Sequence, residues 1–445
     1  MRVISDLISR HVSHRPNLLK ILNNIKWLLI DNLVRMAVGL LIGVWVARYI
    51  GPENFGIFNF ALAFTGLFAT ITTLGLSGII VRDIVKHPDV TSVTLGTAGI
   101  LHFLGGVISF ILIVLTINIL RFEDELSKIV VIILGSMMLF KASDIVVYWF
   151  ESQVKSKYVV WVQNCVFLLF AVVKVSLLVT KMPFIFFVWI ALAEAIVSAL
   201  ALAALFEIVG FGITKLSASF SRAKELLADS WSLILSAFAI SIYMKIDQIM
   251  LGQMIGNESV GIYSAAVRIS EVWYFIPLAI IGSVFPSIMK AKMECERKYK
   301  MRMQQLFDAM VWLSLLVCFP LAFSSEYIVV LLFGELYQEA GLVLAIHVWA
   351  SLFVFLGVAT SRWLIAENRQ ILNLQRTTIG AIANIILNYV LIPRYGAVGA
   401  SIATVVSYGM VSIMSDLLSK DTRPVFYMKI KAFNLFSAIS RLKSI

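Results

Sequence analysis

A chain of 445 residues that is 60% hydrophobic and 14% charged, with mean hydropathy +0.92, cannot cover its apolar surface as a water-soluble protein of ordinary composition. Its net charge of +11 does not mark a nucleic-acid binder, because Lys and Arg fall in short clusters between apolar blocks and not along one surface. Cys165, Cys295 and Cys318 are widely spaced without a CxxC, so neither a disulfide framework nor a thiolate metal site is encoded. HExxH, GxSxG and P-loop patterns are absent, which removes the commonest hydrolytic and nucleotide-driven chemistries; no metal, no cofactor and no enzymatic activity are expected.

In chain order, Arg2, Arg10, Arg15, Lys20 and Lys26 precede a first apolar block that is too long for a signal peptide and lacks an A-x-A-like cleavage site. That block is expected to stay as a first helix. Runs of about twenty apolar residues, enough to cross about 30 Å of hydrocarbon, predict spans at 27–49, 56–81, 95–120, 129–150, 158–180 and 183–206. A second set follows at 231–253, 259–287, 305–324, 338–363, 372–392 and 397–418. The fold class is therefore an all-α integral membrane protein with twelve transmembrane helices in two six-helix bundles. The expected order is a cytoplasmic tail 1–26, a bundle 27–206, a linker 207–230, a bundle 231–418 and a cytoplasmic tail 419–445.

Loop charge tests this count, since cytoplasmic loops hold the excess of Lys and Arg. With both termini inside, and with Arg48 and Arg376 at span ends counted with their adjoining loops, the outer loops contain Arg48, Arg121, Lys128, Lys181 and Arg394, six cations lie within spans, and the other 26 of 37 are cytoplasmic. The strongest cluster, Lys290 to Arg302, follows span eight. The outer loops are short, so any work is expected inside the membrane.

The segment Ile50-Gly-Pro-Glu-Asn-Phe-Gly-Ile-Phe58 returns as Ile255-Gly-Asn-Glu-Ser-Val-Gly-Ile-Tyr263, which marks an internal duplication. Gly51 and Gly256 suit a tight turn, and Gly56 and Gly261 suit close helix packing just after it. The repeat is offset by six spans, so both halves enter the membrane in the same direction, related by an axis along its normal, with a cleft expected between them. A weaker related turn is Pro393-Arg-Tyr-Gly-Ala-Val-Gly399.

These stretches, with Tyr148-Trp-Phe-Glu-Ser-Gln153, Lys245-Ile-Asp-Gln-Ile-Met-Leu251 and Gly261-Ile-Tyr-Ser-Ala-Ala266, resemble the polysaccharide transporter family, which includes the Wzx-type O-antigen flippases of the MOP superfamily. The resemblance implies a fold similar to the MATE drug exporters and a cavity open alternately to each side. It also implies translocation of an undecaprenyl-pyrophosphate-linked oligosaccharide across the bacterial inner membrane, driven by a proton or sodium gradient. The implied partners are the lipid-linked oligosaccharide, membrane lipid and polysaccharide assembly proteins, with no nucleic acid and a monomeric protein. A MATE-type multidrug exporter is the nearer alternative, and a membrane polysaccharide polymerase or ligase the more distant one.

Six cations fall inside the predicted spans: Arg35, Lys141, Lys174, Lys245, Arg268 and Arg362. Each would cost about 2.5 to 3.5 kcal/mol at a helix centre unless it faces a wet or paired interior. Arg35, Lys141, Lys174, Lys245 and Arg268 are the candidates for binding an anionic substrate, while Arg35 and Arg362 also lie near enough to a span end to snorkel. Of the carboxylates within spans, Asp31, Asp144, Asp247, Glu271 and Asp308 are candidates for ion coupling, with Glu194 beside them. Asp31 with Arg35, Lys141 with Asp144 and Arg268 with Glu271 are one helical turn apart and could form either inert ion pairs or a protonatable relay. Lys245 and Asp247 are two apart and do not face each other. Asn384 and Asn388 suit sugar hydroxyls or helix-to-helix hydrogen bonds, and His347 is a further relay candidate.

Overall fold

The computed structural model describes residues 16–209 and 211–442, with side chains from Arg35 onward except those of Gln370, Ile439, Ser440 and Leu442. The side chain of Asp31 is not among those described, and so neither is its pairing with Arg35. Among them there is no strand. The helices run α1 Pro16–Thr73, α2 Ser77–Lys86, α3 Thr91–Leu120, α4 Glu125–Gly135, α5 Asp144–Ser152, α6 Lys157–Val179, α7 Phe184–Ile208, α8 Phe220–Met254 and α9 Asn257–Glu271. They continue with α10 Phe275–Glu294, α11 Glu296–Phe323, α12 Ser325–Phe333, α13 Ala340–His347, α14 Ala350–Ala366, α15 Gln370–Ser412, α16 Arg423–Ala432 and α17 Leu435–Leu442.

Ten segments among the described residues are long and apolar enough to cross a membrane. Two of them, Arg35–Lys86 and Ile371–Leu417, have 52 and 47 residues. At 1.5 Å per residue each greatly exceeds the roughly 30 Å of hydrocarbon. Both are broken at a glycine with positive φ: Gly51 at 78° inside α1 and Gly396 at 54° inside α15. These are the turn glycines of the repeated motif and of its weaker relative, in a conformation that glycine adopts without steric cost.

The burial pattern is that of a membrane protein. On α3 the exposed side chains are Ile100, Phe103, Leu104, Ile108, Ile111 and Leu115, while Gly105, Gly106, His102 and Ser109 face inward. A Cβ on Gly105 would lie 2.7 Å from the Ile71 carbonyl oxygen and one on Gly106 2.5 Å from that of Met138. With lipid as apolar as leucine, close backbone approach through small residues and interhelical hydrogen bonds replaces a hydrophobic driving force between helices. Thr72 accordingly donates to Ser109 at 2.9 Å.

The chain divides into two compact units, one of residues up to Val46 with Thr65–Ala237 and one of Ala47–Phe64 with Phe238–Ile445. In the first, Leu76, Ile80, Ile84, Trp149, Phe150 and Phe206 form the apolar centre. The start of α8 is fastened to α2 by Arg222–Asp83 and Arg82–Asp229, both at 2.6 Å. In the second, Phe307, Met310, Phe355, Leu356 and Ala359 pack α11 against α14. The two copies of the repeated motif meet here reciprocally: a Cβ on Gly56 would lie 1.7 Å from the Asn257 oxygen, and one on Gly261 1.9 Å from the Pro52 oxygen. Pro52 and Asn257, like Gly56 and Gly261, are equivalent positions of the repeat.

The C-terminal segment is folded onto α11. Gln304 Nε2 donates to the Met428 oxygen at 2.8 Å, Gln305 Nε2 to the Arg441 oxygen at 2.7 Å and Trp312 Nε1 to the Ala432 oxygen at 3.0 Å. Lys429 on α16 is fully buried, bonded to Asp416 at 2.6 Å and to the Ser412 oxygen, with Arg376 3.5 Å from the same carboxylate.

Candidate functional site

Inside the second unit a buried polar cluster is built around Asp247. This residue sits on α8 where the helix is enclosed, and its side chain is 3% exposed. Tyr263 of α9 donates to Oδ2 at 2.8 Å and Thr404, beyond the break in α15, donates to the same oxygen at 2.5 Å. Asn388, before that break, donates through Nδ2 to Oδ1 at 2.6 Å. The kink at Gly396 thus lets one long helix contribute to the carboxylate from both of its arms.

The carboxylate has no cation partner within 4.0 Å among the described residues; every group touching it is neutral. The second hydrogen of the Asn388 amide goes to Asn384 Oδ1 at 3.0 Å, and Asn384 in turn donates to Ser407 at 3.2 Å. Both amide hydrogens of Asn388 are thereby used, while its own Oδ1 is buried without a hydrogen-bond partner. An orphaned buried acceptor beside a caged carboxylate is what a site for a small hard cation or a proton requires, since oxygen ligands suit both. A cation on Asp247 would favour the opposite amide orientation, turning the Asn388 oxygen toward the charge.

A second polar layer lies behind Tyr263. His347 on α13 meets it edge-on with ring centroids 5.7 Å apart, and its Nδ1 shares a hydrogen bond with Ser270 at 2.7 Å. Tyr243 and Tyr408 stack at 4.3 Å on α8 and α15. Lys245 and Arg268, on the same helices as Asp247 and Tyr263, are half-buried and make no ion pair among the described residues. Arg268 and Glu271 share a helix turn but do not pair within 4.0 Å.

The remaining candidates are held elsewhere. In the first unit Lys141 pairs with Asp144 at 3.6 Å and Lys174 with Glu194 at 2.6 Å, while Arg35 lies over the Phe167 ring at 5.6 Å. Asp308 is fully buried and bonded by Arg441 Nε at 2.7 Å and Nη2 at 2.9 Å, with Gln304 at 2.9 Å, so it anchors the C-terminal segment. Arg362 lies over Phe285 at 5.9 Å.

The sequence reading had Asp247, Asn384, Asn388 and His347 without their common location, and lacked Tyr263, Thr404 and Ser407 as functional groups. Tyr263 carried a signal, because it closes the repeated motif with a hydroxyl where Phe58 has none. His102 was also missed; it is fully buried on α3, edge-on to Tyr148 at 5.9 Å.

A model of the family described as polysaccharide biosynthesis protein matches residues 21–292, more than half of the chain, and a MatE model matches residues 232–390. Over 231 residues the chain is 26% identical to the probable low-salt glycan biosynthesis flippase Agl15 of Haloferax volcanii, covering 50% of this chain and 48% of that protein. It spans about half the length of the curated relatives it matches. Among solved structures, the lipid II flippase MurJ in an inward closed conformation superposes with TM-score 0.70 at 15% identity, over 92% of this chain and 91% of that one. An inward-facing multidrug resistance MATE family transporter of the MOP superfamily gives TM-score 0.69 at 14% identity, over 92% and 95%. At these identities the likeness is one of fold, that of a multi-pass membrane protein. The half-chain family match establishes descent: this chain belongs to the polysaccharide biosynthesis protein family.

Proposed function

We propose that the protein is a flippase that moves undecaprenyl-pyrophosphate-linked oligosaccharide repeat units across the bacterial inner membrane by alternating access, coupled to an ion gradient through Asp247. The observation that carries the coupling role is the cage itself. A carboxylate in an apolar helical unit, held by Tyr263, Thr404 and Asn388 and neutralised by no cation among the described residues, is a charge kept available. Isolated charges at such depth are costly and are retained where they work. Cation or proton binding there would neutralise the charge, and its release would restore it. The coupling reduces to that exchange: whichever conformation holds the cation more tightly is the one the gradient favours.

Membership of a polysaccharide biosynthesis family and the glycan flippase named in Haloferax volcanii support the lipid-linked saccharide as cargo. A break at Gly51 and another at Gly396 would turn ten long segments into twelve crossings, with both termini cytoplasmic by the loop charges. Transport without covalent chemistry is the reading that needs no catalytic group. The second reading, export of cationic drugs, draws on the MatE match over residues 232–390.

The decisive experiment is complementation. Expression in a flippase-deficient strain with a matched repeat unit is expected to restore surface polysaccharide and clear the inner-leaflet lipid intermediate, in a gradient-dependent manner. Failure with several matched repeat units, together with acquired drug resistance, would replace this reading by the exporter.

A further inference from the structure

The hairpin of α10 and α11 turns at Cys295 and leaves a crevice of about 470 Å³ between its helices. Ser283 and Ser287 line it from α10, and Lys298 and Arg302 from α11. At 1.5 Å per residue, Lys298 stands about 5 Å and Arg302 about 10 Å along the helix from the turn. Ile280 and Ala309, which line the far end, stand about 20 Å away by the same measure. The crevice therefore holds Lys298, Arg302 and Ser287 in the half nearer the turn and mostly apolar groups in the farther half, with Ser283 and Gln305 among them.

Arg302 differs from the four lysines of this hairpin in how its charge is met. Lys290 and Lys298 lie within 4.0 Å of Glu294, Lys300 lies 3.3 Å from Glu296 and Lys292 lies 2.8 Å from Glu367. Arg302 has no such carboxylate among the described residues; its Nη1 donates to the Ser287 hydroxyl inside the crevice. A cation that served only to set topology would have no need of that orientation. A guanidinium flanked by hydroxyls presents several donors in one plane, the pattern that matches phosphate oxygens. Free phosphate would gain nothing from the apolar far end, whereas a phosphate esterified to a hydrocarbon chain would use both ends of the crevice.

We propose that this crevice is a binding site for a lipid-borne phosphate. Arg302 and Ser287 hold the phosphate oxygens, Lys298 turns from Glu294 to close over them, and the first stretch of the lipid chain lies along Ile280 and Ala309. The site is separate from the Asp247 cage, and retention of lipid can be read without any transport, so the failure of the transport reading would leave this inference standing.

The test measures binding to the purified full chain in detergent with three probes: farnesyl pyrophosphate, phosphatidylglycerol and inorganic pyrophosphate. At least one of the two lipids is expected to bind, inorganic pyrophosphate at least tenfold more weakly than that lipid, and Arg302→Gln to weaken lipid binding about tenfold or more. Lys300→Gln, on the same helix but outside the crevice lining, should leave binding unchanged. Ser287→Ala, a milder change kept in case Arg302→Gln does not fold, should weaken it about threefold. A preference for farnesyl pyrophosphate identifies the cargo lipid as the source, and a preference for phosphatidylglycerol identifies the bulk membrane; both uphold a lipid-phosphate site. Equal lipid binding by wild type, Arg302→Gln and Ser287→Ala would overturn it, as would inorganic pyrophosphate binding as tightly as either lipid.

Discussion

Asp247 in the second unit and the half-buried Asp144 and Glu194 in the first are met in opposite ways. In the first, Asp144 faces Lys141 and Glu194 faces Lys174 at 2.6 Å, so each negative charge already has its counter-charge. In the second, Asp247 is surrounded by a phenol, a hydroxyl and an amide, all neutral. Neutral donors stabilise a carboxylate by local dipoles without cancelling its charge, whereas an ammonium cancels it outright. A site that must take up and release a cation has to be of the first kind. The paired sites resemble structural ties between neighbouring segments, as Lys174 on α6 and Glu194 on α7 illustrate.

The largest expected effect separates the two kinds directly. Asp247→Asn keeps the shape of the cage and removes its charge, and gradient-dependent transport in proteoliposomes is expected to fall at least a hundredfold, while Asp144→Asn should lower it less than threefold. Comparable losses for the two variants would erase the distinction. A smaller effect concerns the paired site. Removing only the cation with Lys174→Met strands Glu194, and because both side chains are about a quarter exposed the destabilisation should be about 1 to 2 kcal/mol by thermal unfolding. The double variant Lys174→Met with Glu194→Leu should return to within about 0.5 kcal/mol of wild type, since replacing both partners of an ion pair by apolar groups is often neutral. A double variant worse than the single one would show that the pair does more than tie two helices.

Much of the fold was legible because the membrane imposes a strong grammar: apolar length, loop charge and the repeated motif each point to long helices in two related sets. Two helix junctions were legible as well: spans were expected to end at 49 and 392 and to resume at 56 and 397, and the positive-φ glycines Gly51 and Gly396 lie in those intervals, although the helical runs continue through them to 52 and 47 residues. The site was legible in part. Asp247 was one of five ion-coupling candidates, but its partners Asn388 and Thr404 lie 141 and 157 residues away, and no local spacing announces a long-range hydrogen bond. Asp308 shows the converse error of sequence logic. An acid in an apolar helix looks like a functional charge, yet its partner Arg441 lies 133 residues on, in a segment expected to be only a tail.

That segment gives the smallest and most specific prediction, because it holds a third arrangement: one carboxylate between two cations. Asp416 is shared by Lys429 at 2.6 Å and Arg376 at 3.5 Å, and the Lys429 ammonium also lies 5.9 Å from the centre of the Phe307 ring. Burial, with Arg376 adding repulsion against the attraction of Asp416, pushes the Lys429 amine down to about 7 from its ordinary 10.5. A lysine whose folded pKa is lowered binds fewer protons in the folded state than in the unfolded one between those two values. Stability must therefore rise as pH climbs from about 7 toward 10.5, and the full penalty of burying the ammonium is present below that window. The melting temperature of wild type relative to Lys429→Met should accordingly increase between pH 7 and pH 9.5, by a few degrees at most in a protein of this size. A difference between the two proteins that stays constant across that range would mean that Asp416 keeps Lys429 charged throughout, and the triad would then join the paired sites of the first unit as a plain structural tie.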